Sequence, residues 1–556
     1  MSVIYFDKIT VFIFPQIRYF SYIFLLLFTL GGCQQVQSSN QRLAPLPQDP
    51  LIQVYFNNSQ SSEYQETYRQ QTRLGDDLEK QIVDTISQAK STVDVAVQEL
   101  RLPRVAQILA QKQKSGVKIR LILESNYSRP WSSFTSAEIA KLGKREQERY
   151  QEFRKFVDIN QDNQITPEEI SQRDGLAIVQ NAQIPWIDDT ADGSKGSSLM
   201  HHKFVIVDDR FVIITSANFT LSDTSGDFTN PSSFGNTNNL LKIDSSELAT
   251  LLTEEFNIIW GDGVGGKPDS KFGVTKPVRN PQTIALGNSK ITIHFSPISP
   301  TEPWSNSSNG LIAKTLSTST KTVDLALFVF SDQQLANILE ERHHQNVQVR
   351  ALIEPQFAYR PYSEALDMMG FALSDNCKYE VDNRPWKNPI STVGVPILAK
   401  GDLLHDKFAV IDNQTVITGS HNWSEAANHG NDETLIVIEN PTVAAHYQRE
   451  FNRLYGKIKP GLPANVKSKI DAEVKKCPQI KQPSSFVNPI TTKINLNTAS
   501  QAELETLPGV GKKLAQRIII ARQQQRFTSL QDVDKVPGIS AKILAEWEGM
   551  TTFTSD

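Results

Sequence analysis

Apolar and polar positions along this chain follow two rhythms. LEKQIVDTISQA (Leu78–Ala89) and RVAQILAQKQ (Arg104–Gln113) space their apolar residues as amphipathic helices do. Between and after them, TVDVAV (Thr92–Val97) and IRLIL (Ile119–Leu123) are β-branched runs that predict strands. Strand, helix and strand joined by short links predict an α/β layered unit.

The pattern then repeats. IQVYF at Ile52 matches ITIHF at Ile291, STVDVAV from Ser91 matches KTVDLAL from Lys321, and VKIRLILE ending at Glu124 matches VQVRALIE ending at Glu354. EEFNIIWG ending at Gly261 matches REFNRLYG ending at Gly456. Collinear self-similarity of this kind marks a duplicated structural unit.

Composition changes this picture little. The chain has 556 residues, room for several domains. Its 39% hydrophobic and 21% charged content is that of a globular protein. A net charge of -4 excludes wholesale attraction to nucleic acid, so any such binding needs a local basic patch.

The N-terminus carries more information. Lys8 and Arg18 precede the apolar FSYIFLLLFTLGGC, which ends at Cys33, the pattern of an export signal. LGGC resembles the lipobox of bacterial lipoproteins, in which the Cys is lipidated and becomes the new N-terminus. A lone membrane anchor is the alternative, because Val11–Leu30 is nearly long enough to span. Residues 1–33 are therefore expected to be a signal peptide with lipobox, and the polar residues 34–49 a flexible tether. Both readings place the body outside the cytoplasm, with the lipoprotein held in the cell envelope. In that compartment Cys377 and Cys477 are free to pair, although the sequence does not place them near one another.

The chemistry is concentrated in two similar stretches, LMHHKFVIVDDRFVIITSANFT (Leu199–Thr220) and LLHDKFAVIDNQTVITGSHNWS (Leu403–Ser424). Side chains alternate faces along a strand, so His201 shares a face with Lys203 and His405 with Lys407. Ser216 and Asn218 pair in the same way, as do Ser420 and Asn422. Two such clusters would offer lysine cations and Ser and Asn donors to a phosphate's oxygens. One imidazole would attack phosphorus while the other protonates the leaving oxygen.

This motif, His-x-Lys, then Asp, then Gly-Ser-x-Asn, resembles the signature of the phospholipase D superfamily. The second copy fits throughout (His405, Lys407, Asp412, Gly419, Ser420, Asn422), and the first departs only in Thr215, where Gly is usual. The resemblance implies a duplicated α/β sandwich with a pseudo-twofold and one site between the halves. It also implies a phosphohistidine intermediate, no metal in catalysis, and Asp208 and Asp412 as structural residues. Glu433, in GNDETLIVI, looks like the acidic residue that orients an imidazole; GNTNNLLKI has Asn238 there instead. By the same resemblance His201 is the nucleophile and His405 the general acid.

An insertion in the first repeat, residues 144–172, contains DINQDNQITPEE. Asp158, Asn160, Asp162, Gln164, Thr166 and Glu169 stand where an EF-hand loop places its oxygen ligands, so this segment resembles a structural Ca2+ site. Asn163 replaces the usual Gly, and Asn tolerates positive φ next best.

The C-terminal INLNTAS…LPGVGKK…VPGIS (from Ile494) resembles a tandem helix-hairpin-helix domain, a small all-α unit of bacterial competence-type DNA-binding proteins. Gly509 and Gly511 would expose amides at a helix N-terminus to a phosphate, with Lys512, Lys513, Arg517, Arg522 and Arg526 as a basic stripe. The predicted layout is repeat one at 50–262, a link at 263–288, repeat two at 289–457, a link at 458–492 and the helix-hairpin-helix domain at 493–550. The expected function is a metal-independent nuclease acting as a monomer on duplex or single-stranded DNA. The alternatives are a phospholipase D working on phospholipid head groups, or a DNA-binding surface lipoprotein whose catalytic core is vestigial.

Overall fold

The structure, a computed structural model, describes residues 42–478 and 494–553, apart from residues 506, 541, 542, 545, 546, 548 and 549. The export segment and Cys33 lie outside the described residues.

Each repeat builds one mixed sheet, and the two have the same strand order. The first runs Ile52–Phe56, Asn239–Asp244, Phe211–Thr215, Lys203–Val207, Thr92–Val97, Lys118–Leu123, Trp186–Asp188. The second runs Ser289–Ser296, Asn431–Glu439, Thr415–Gly419, Lys407–Ile411, Thr322–Leu327, Gln348–Ile353, Val393–Gly394. The strand Gln282–Leu286 pairs with Ser289–Ser296, so the second unit begins earlier than residue 289. Equivalent half-buried ion pairs mark the duplication. Arg120 grips Asp94 at 2.6 and 2.7 Å, and Arg350 grips Asp324 at the same two distances.

Two helices, Ser246–Trp260 and Pro441–Tyr455, touch strands of both sheets and fill the space between them. Their apolar faces (Phe256, Ile259, Tyr447, Phe451) join Phe204, Ile214, Phe408 and Ile436 in one shared core. Separate cores lie on the outer faces, under Leu78–Ser87 and Pro103–Lys114 in the first lobe and Ser308–Leu316 and Gln333–His344 in the second. The lobes are therefore fused through apolar packing, the dominant favourable term in association.

The motif aspartates close a hairpin in each lobe. Asp208 and Asp209 have φ of 52° each, and Asp412 and Asn413 have φ of 52° and 55°. Two successive positive φ values make a tight type I′ turn, where Asp and Asn are tolerated. The Asp208 carboxylate accepts the N–H groups of Lys90, Ser91 and Thr92 at 2.7–3.0 Å. Asp412 does the same for Thr320, Lys321 and Thr322 at 2.7–2.8 Å. Each aspartate thus ties the hairpin to the start of the neighbouring strand.

The segment after residue 457 is more than a link. Ala464–Lys476 forms a helix that buries Val466 and Ile470 in the second outer core. Cys477 at its end is disulfide-bonded to Cys377, with a Cα–Cα distance of 5.4 Å across 100 residues of sequence. The C-terminal unit has its own core, including Leu504, Leu514, Ile518, Val536 and Trp547. Among its described residues the regular structure is helical apart from one short parallel pairing of Ile494–Asn495 with Thr551–Thr552.

Because this disulfide restrains a helix that buries only two apolar side chains, Cys477→Ser should loosen it selectively. Amide exchange across 464–476 should quicken about tenfold or more while Lys407–Ile411 stays protected. Unchanged exchange in the helix would contradict this.

Candidate active site

The two histidine segments are positioned by an exchange of strand ends between lobes. Leu199–Met200 of the first lobe pairs in parallel with Asn431–Asp432 of the second, and the His201 N–H donates to Asp432 O at 3.0 Å. The mirror arrangement joins Leu404 to Thr237, and the His405 N–H donates to Thr237 O at 3.2 Å. Within each lobe a strand-end glutamate steadies the preceding residue. Glu124 accepts the N–H of Met200 at 2.7 Å, and Glu354 that of Leu404 at 2.8 Å.

The imidazoles are oriented by the residue next to each of these carbonyls. His201 Nδ1 bonds Glu433 Oε2 at 2.7 Å, and Ser420 Oγ donates to the same oxygen at 2.6 Å. His405 Nδ1 bonds Asn238 Oδ1 at 3.0 Å, and Ser216 Oγ donates to that oxygen at 2.8 Å. Leu240 lies opposite Thr215 and Leu435 opposite Gly419, so Asn238 and Glu433 occupy equivalent positions. Asn238 Nδ2 donates to Asp223 O and Asn236 O, which fixes the amide with its oxygen toward the ring. Both histidines therefore carry their proton on Nδ1 and leave Nε2 for chemistry.

The lysines lie beneath. Lys203 Nζ donates to His201 O at 2.9 Å and Gln98 Oε1 at 3.3 Å. Lys407 Nζ donates to His405 O at 2.5 Å and sits 5.0 Å above the Phe328 ring. Gln98 and Phe328 follow matching strands, so the lobes differ here too. The buried Oδ1 atoms of Asn218 and Asn422 have no partner among the described residues.

Burial dominates the electrostatics. It holds the His201 imidazole well below its ordinary value, helped by the charges of Lys203 and Lys407. His405 is likewise lowered, by burial and then Lys407, with Asp223 opposing. Burial, opposed by Glu433, brings Lys203 down to about 7, and Lys407 falls to about 8 by burial against Asp223 and Glu433. Each lobe's lysine also lowers the other lobe's histidine, so the four groups share one electrostatic environment.

Seven of the nine motif residues share these contacts (His201, Lys203, Ser216, His405, Lys407, Ser420 and Glu433), and Asn218 joins them through its N–H bond to Asp223, whereas Asn422 has no such contact among the described residues. The Thr215 departure is accommodated locally. Its hydroxyl donates to Asn239 O at 2.6 Å, whereas Gly419 has φ of +133° and a Cβ there would meet Thr434 O at 2.2 Å. Sequence reasoning missed Asp223, Glu124 and Glu354; the matched glutamates ending two repeated strands were the available signal for the last two.

Behind His201, His202 Nε2 bonds Glu255 at 3.0 Å, and His202, Glu255 and Asp432 form a triad with metal-ligand spacing. The triad is already filled by a cation. Lys276 Nζ bonds Glu255 at 2.5 Å, Asp432 at 2.7 Å and Ser296 O at 2.8 Å. A cavity of about 300 Å³ lined by Arg101, Trp131, Arg149 and Phe153 lies against the insertion and contains none of the motif residues.

The EF-hand-like loop lies between helices Lys144–Val157 and Pro167–Arg173. Asn163 has φ of 65° and so makes the bend a Gly would make. Asp158 accepts the N–H groups of Asp162 and Asn163 at 3.1 and 2.8 Å, and Asp162 accepts that of Gln164 at 2.8 Å. Thr166 caps the second helix, with Glu169 closing a capping box. The donor set is all oxygen, which suits a hard cation.

In the C-terminal unit, Gly509 has φ of 75° and Gly511 caps the helix Lys512–Gln524. Lys512 and Lys513 are exposed at its N-terminus. Arg517, by contrast, donates to Lys513 O at 3.2 Å and to Pro537 O, and Arg522 donates to Leu496 O and Ala499 O. Arg517 thus stays exposed while bridging to the second hairpin, and Arg522 is tied to the lead-in before the first.

A family profile described as "Cardiolipin synthase, PLD-like domain" matches residues 82–260 and 312–455, and one described as "Helix-hairpin-helix motif" matches 490–552. Mitochondrial cardiolipin hydrolase from Xenopus laevis is 27% identical over 142 residues, covering 25% of this chain and 57% of that protein. A phospholipase D from Rickettsia bellii is 26% identical over 166 residues, covering 30% of this chain and 69% of its own length. The chain spans little more than half the length of the first of these relatives. Among solved structures, phosphatidylserine synthase from Haemophilus influenzae is 12% identical, with a TM-score of 0.43 over 80% of this chain and 97% of that one.

The lowered lysines set a pH dependence for anion binding. Lysines are cationic only below their pKa, so raising the pH through the values near 7 and 8 removes the site's positive charge. Sulfate, whose charge is constant in this range, should bind the protein about tenfold more weakly at pH 9 than at pH 6 when measured by calorimetry. A flat profile would mean that both lysines titrate near the ordinary 10.5.

Proposed function

The chain belongs to the phospholipase D-like family, and from that premise we propose that it is a metal-independent phosphodiesterase cleaving DNA through a phosphohistidine intermediate. The observation that carries the DNA reading is a helix-hairpin-helix unit on the same chain as a two-histidine phosphodiester site.

The reaction follows from the two free Nε2 atoms. Neutral His201 Nε2 attacks phosphorus, and the leaving oxygen takes the Nε2 proton of the His405 imidazolium as the P–O bond breaks. Neutral His405 then removes a proton from water, whose oxygen displaces His201 from phosphorus and regenerates the imidazolium. Glu433 supports the positive charge that develops on His201, while Lys203 and Lys407 face the phosphoryl oxygens. Bound phosphodiester brings a negative charge to a site whose cations are costly when empty, which favours protonated His405 at that moment.

The C-terminal hairpin would hold DNA by its backbone, with Lys512, Lys513 and the amides around Gly509 and Gly511 contacting phosphate. Because the duplicated lobes supply both halves of the site, we read the protein as a monomer. We further read it as exported and lipid-anchored at Cys33; a disulfide between Cys377 and Cys477 supports a location outside the reducing cytoplasm. Calcium at Asp158, Asn160, Asp162, Gln164, Thr166 and Glu169 would brace the insertion and take no part in the reaction. The second reading, hydrolysis of phospholipid head groups, is favoured by the names of the relatives and by an anchor that would hold the site near lipid.

Purified protein lacking residues through Cys33, offered DNA and phospholipid side by side with EDTA present, should cleave DNA. Choline release without DNA cleavage would establish the second reading instead. His201→Ala and His405→Ala should each reduce cleavage by about three orders of magnitude or more, whereas Asp208→Asn should mainly lower stability. Salt-sensitive DNA binding should disappear when residues beyond 492 are removed. Calorimetry should also detect calcium binding that Glu169→Gln abolishes, and a protein without that heat would have no calcium site.

A further inference from the structure

The two histidines are not equally served. His201 has the carboxylate of Glu433 on Nδ1, while His405 has only the amide of Asn238. An amide oxygen fixes a tautomer but offers no charge to an imidazolium, so the general acid would be the weaker half of the pair.

A carboxylate nevertheless reaches His405 from another element. Asp223 stands on the short helix Leu221–Thr224 of the first lobe, and its Oδ1 lies 3.9 Å from His405 Nδ1. Asp223 is 3% exposed and held on both oxygens: Asn236 Nδ2 donates to Oδ1 at 2.6 Å, and the Asn218 N–H donates to Oδ2 at 2.8 Å. The lobes are complementary in this respect. Asp223 comes seven residues after Ser216, and the residue seven after Ser420 is Ala427. Where the usual position holds Glu433, the helix position is alanine; where the usual position holds Asn238, the helix position is aspartate.

We propose that Asp223 is the positioning carboxylate of His405, doing from the first lobe what Glu433 does for His201 from the second. This rests on the phosphodiesterase reading above. The largest charged influences on His405 come from Lys407, two residues along its own segment, and from Asp223, Lys203 and His201 of the first lobe. Among them Asp223 alone favours the protonated ring, and it stays ionised in its buried place because His405, Asn236 and the Asn218 N–H offset its desolvation. The amide of Asn238 sets which nitrogen carries the proton, and Asp223 supplies the charge that makes Nε2 a donor. On this assignment the Asn at position 238 divides one residue's role between two and does not mark a dead lobe.

Asp223→Asn keeps an acceptor for the Asn218 N–H and removes the charge. In the full chain with isotope-labelled histidine, the His405 resonance, assigned with His405→Ala, should titrate about half a unit or more lower in the variant. DNA cleavage should fall about tenfold to a hundredfold, with the alkaline limb of kcat/KM moved to lower pH. Cleavage of bis(p-nitrophenyl) phosphate, whose leaving group needs no proton, should fall less than about threefold. Adding Asn238→Asp should restore part of the loss on DNA.

An unmoved His405 titration would overturn the proposal whatever the activity. Equal losses on both substrates would overturn it too, since a purely structural residue would give that result. A shifted titration in a protein that cleaves neither substrate would support the Asp223–His405 coupling and remove the catalytic reading instead.

Discussion

Everything about this site depends on an exchange between the lobes: each histidine's main-chain N–H is bonded to a carbonyl of the other lobe. The side chain following each carbonyl then reaches the ring nitrogen of that histidine. A ring held at both its backbone and Nδ1 has one atom left for chemistry and one direction to present it. Neither lobe can complete its own site, so the apolar core around Phe256, Tyr447 and Phe408 that fuses the lobes is also what sets the histidines in place.

The same burial creates the electrostatic character of the site. Two lysines and two histidines removed from water lose part of their preference for charge, and the surrounding carboxylates return only some of it. A site of this kind is poised for an anion: a phosphodiester supplies the charge that the cations lack when alone. Satisfied buried charge elsewhere behaves differently. The His202, Glu255 and Asp432 triad is closed by Lys276, so its acidic groups are spent on holding the segment between the lobes.

The fold class was legible from periodicity, because strand and helix spacing are local properties of the chain and the duplication repeats them. The motif residues were legible for the same reason. Other features were not, because they depend on residues distant in sequence. Glu433 could be picked out as an orienting acid, but its histidine sits in the opposite lobe, 232 residues away. Arg517 and Arg522 read as a basic stripe, and the structure adds carbonyl partners for each, at Pro537 and Ala499, which a composition argument cannot foresee. The segment after Gly456 read as a link because its Pro and Lys content conceals a helix with only two apolar anchors.

What the sequence determined by itself was the inventory: two copies of a His, Lys, Ser and Asn cluster on strand-forming segments, an oxygen-rich loop and a glycine-rich hairpin. Side-chain periodicity and turn preference are short-range, and a single chain displays them openly. The tertiary structure alone decided which groups meet. It paired Cys377 with Cys477, gave each histidine a partner from the other lobe, and brought Asp223 beside a ring 182 positions further along the chain (405 − 223). Those choices follow from packing two sheets about a common pair of helices, a constraint that no local stretch of residues expresses.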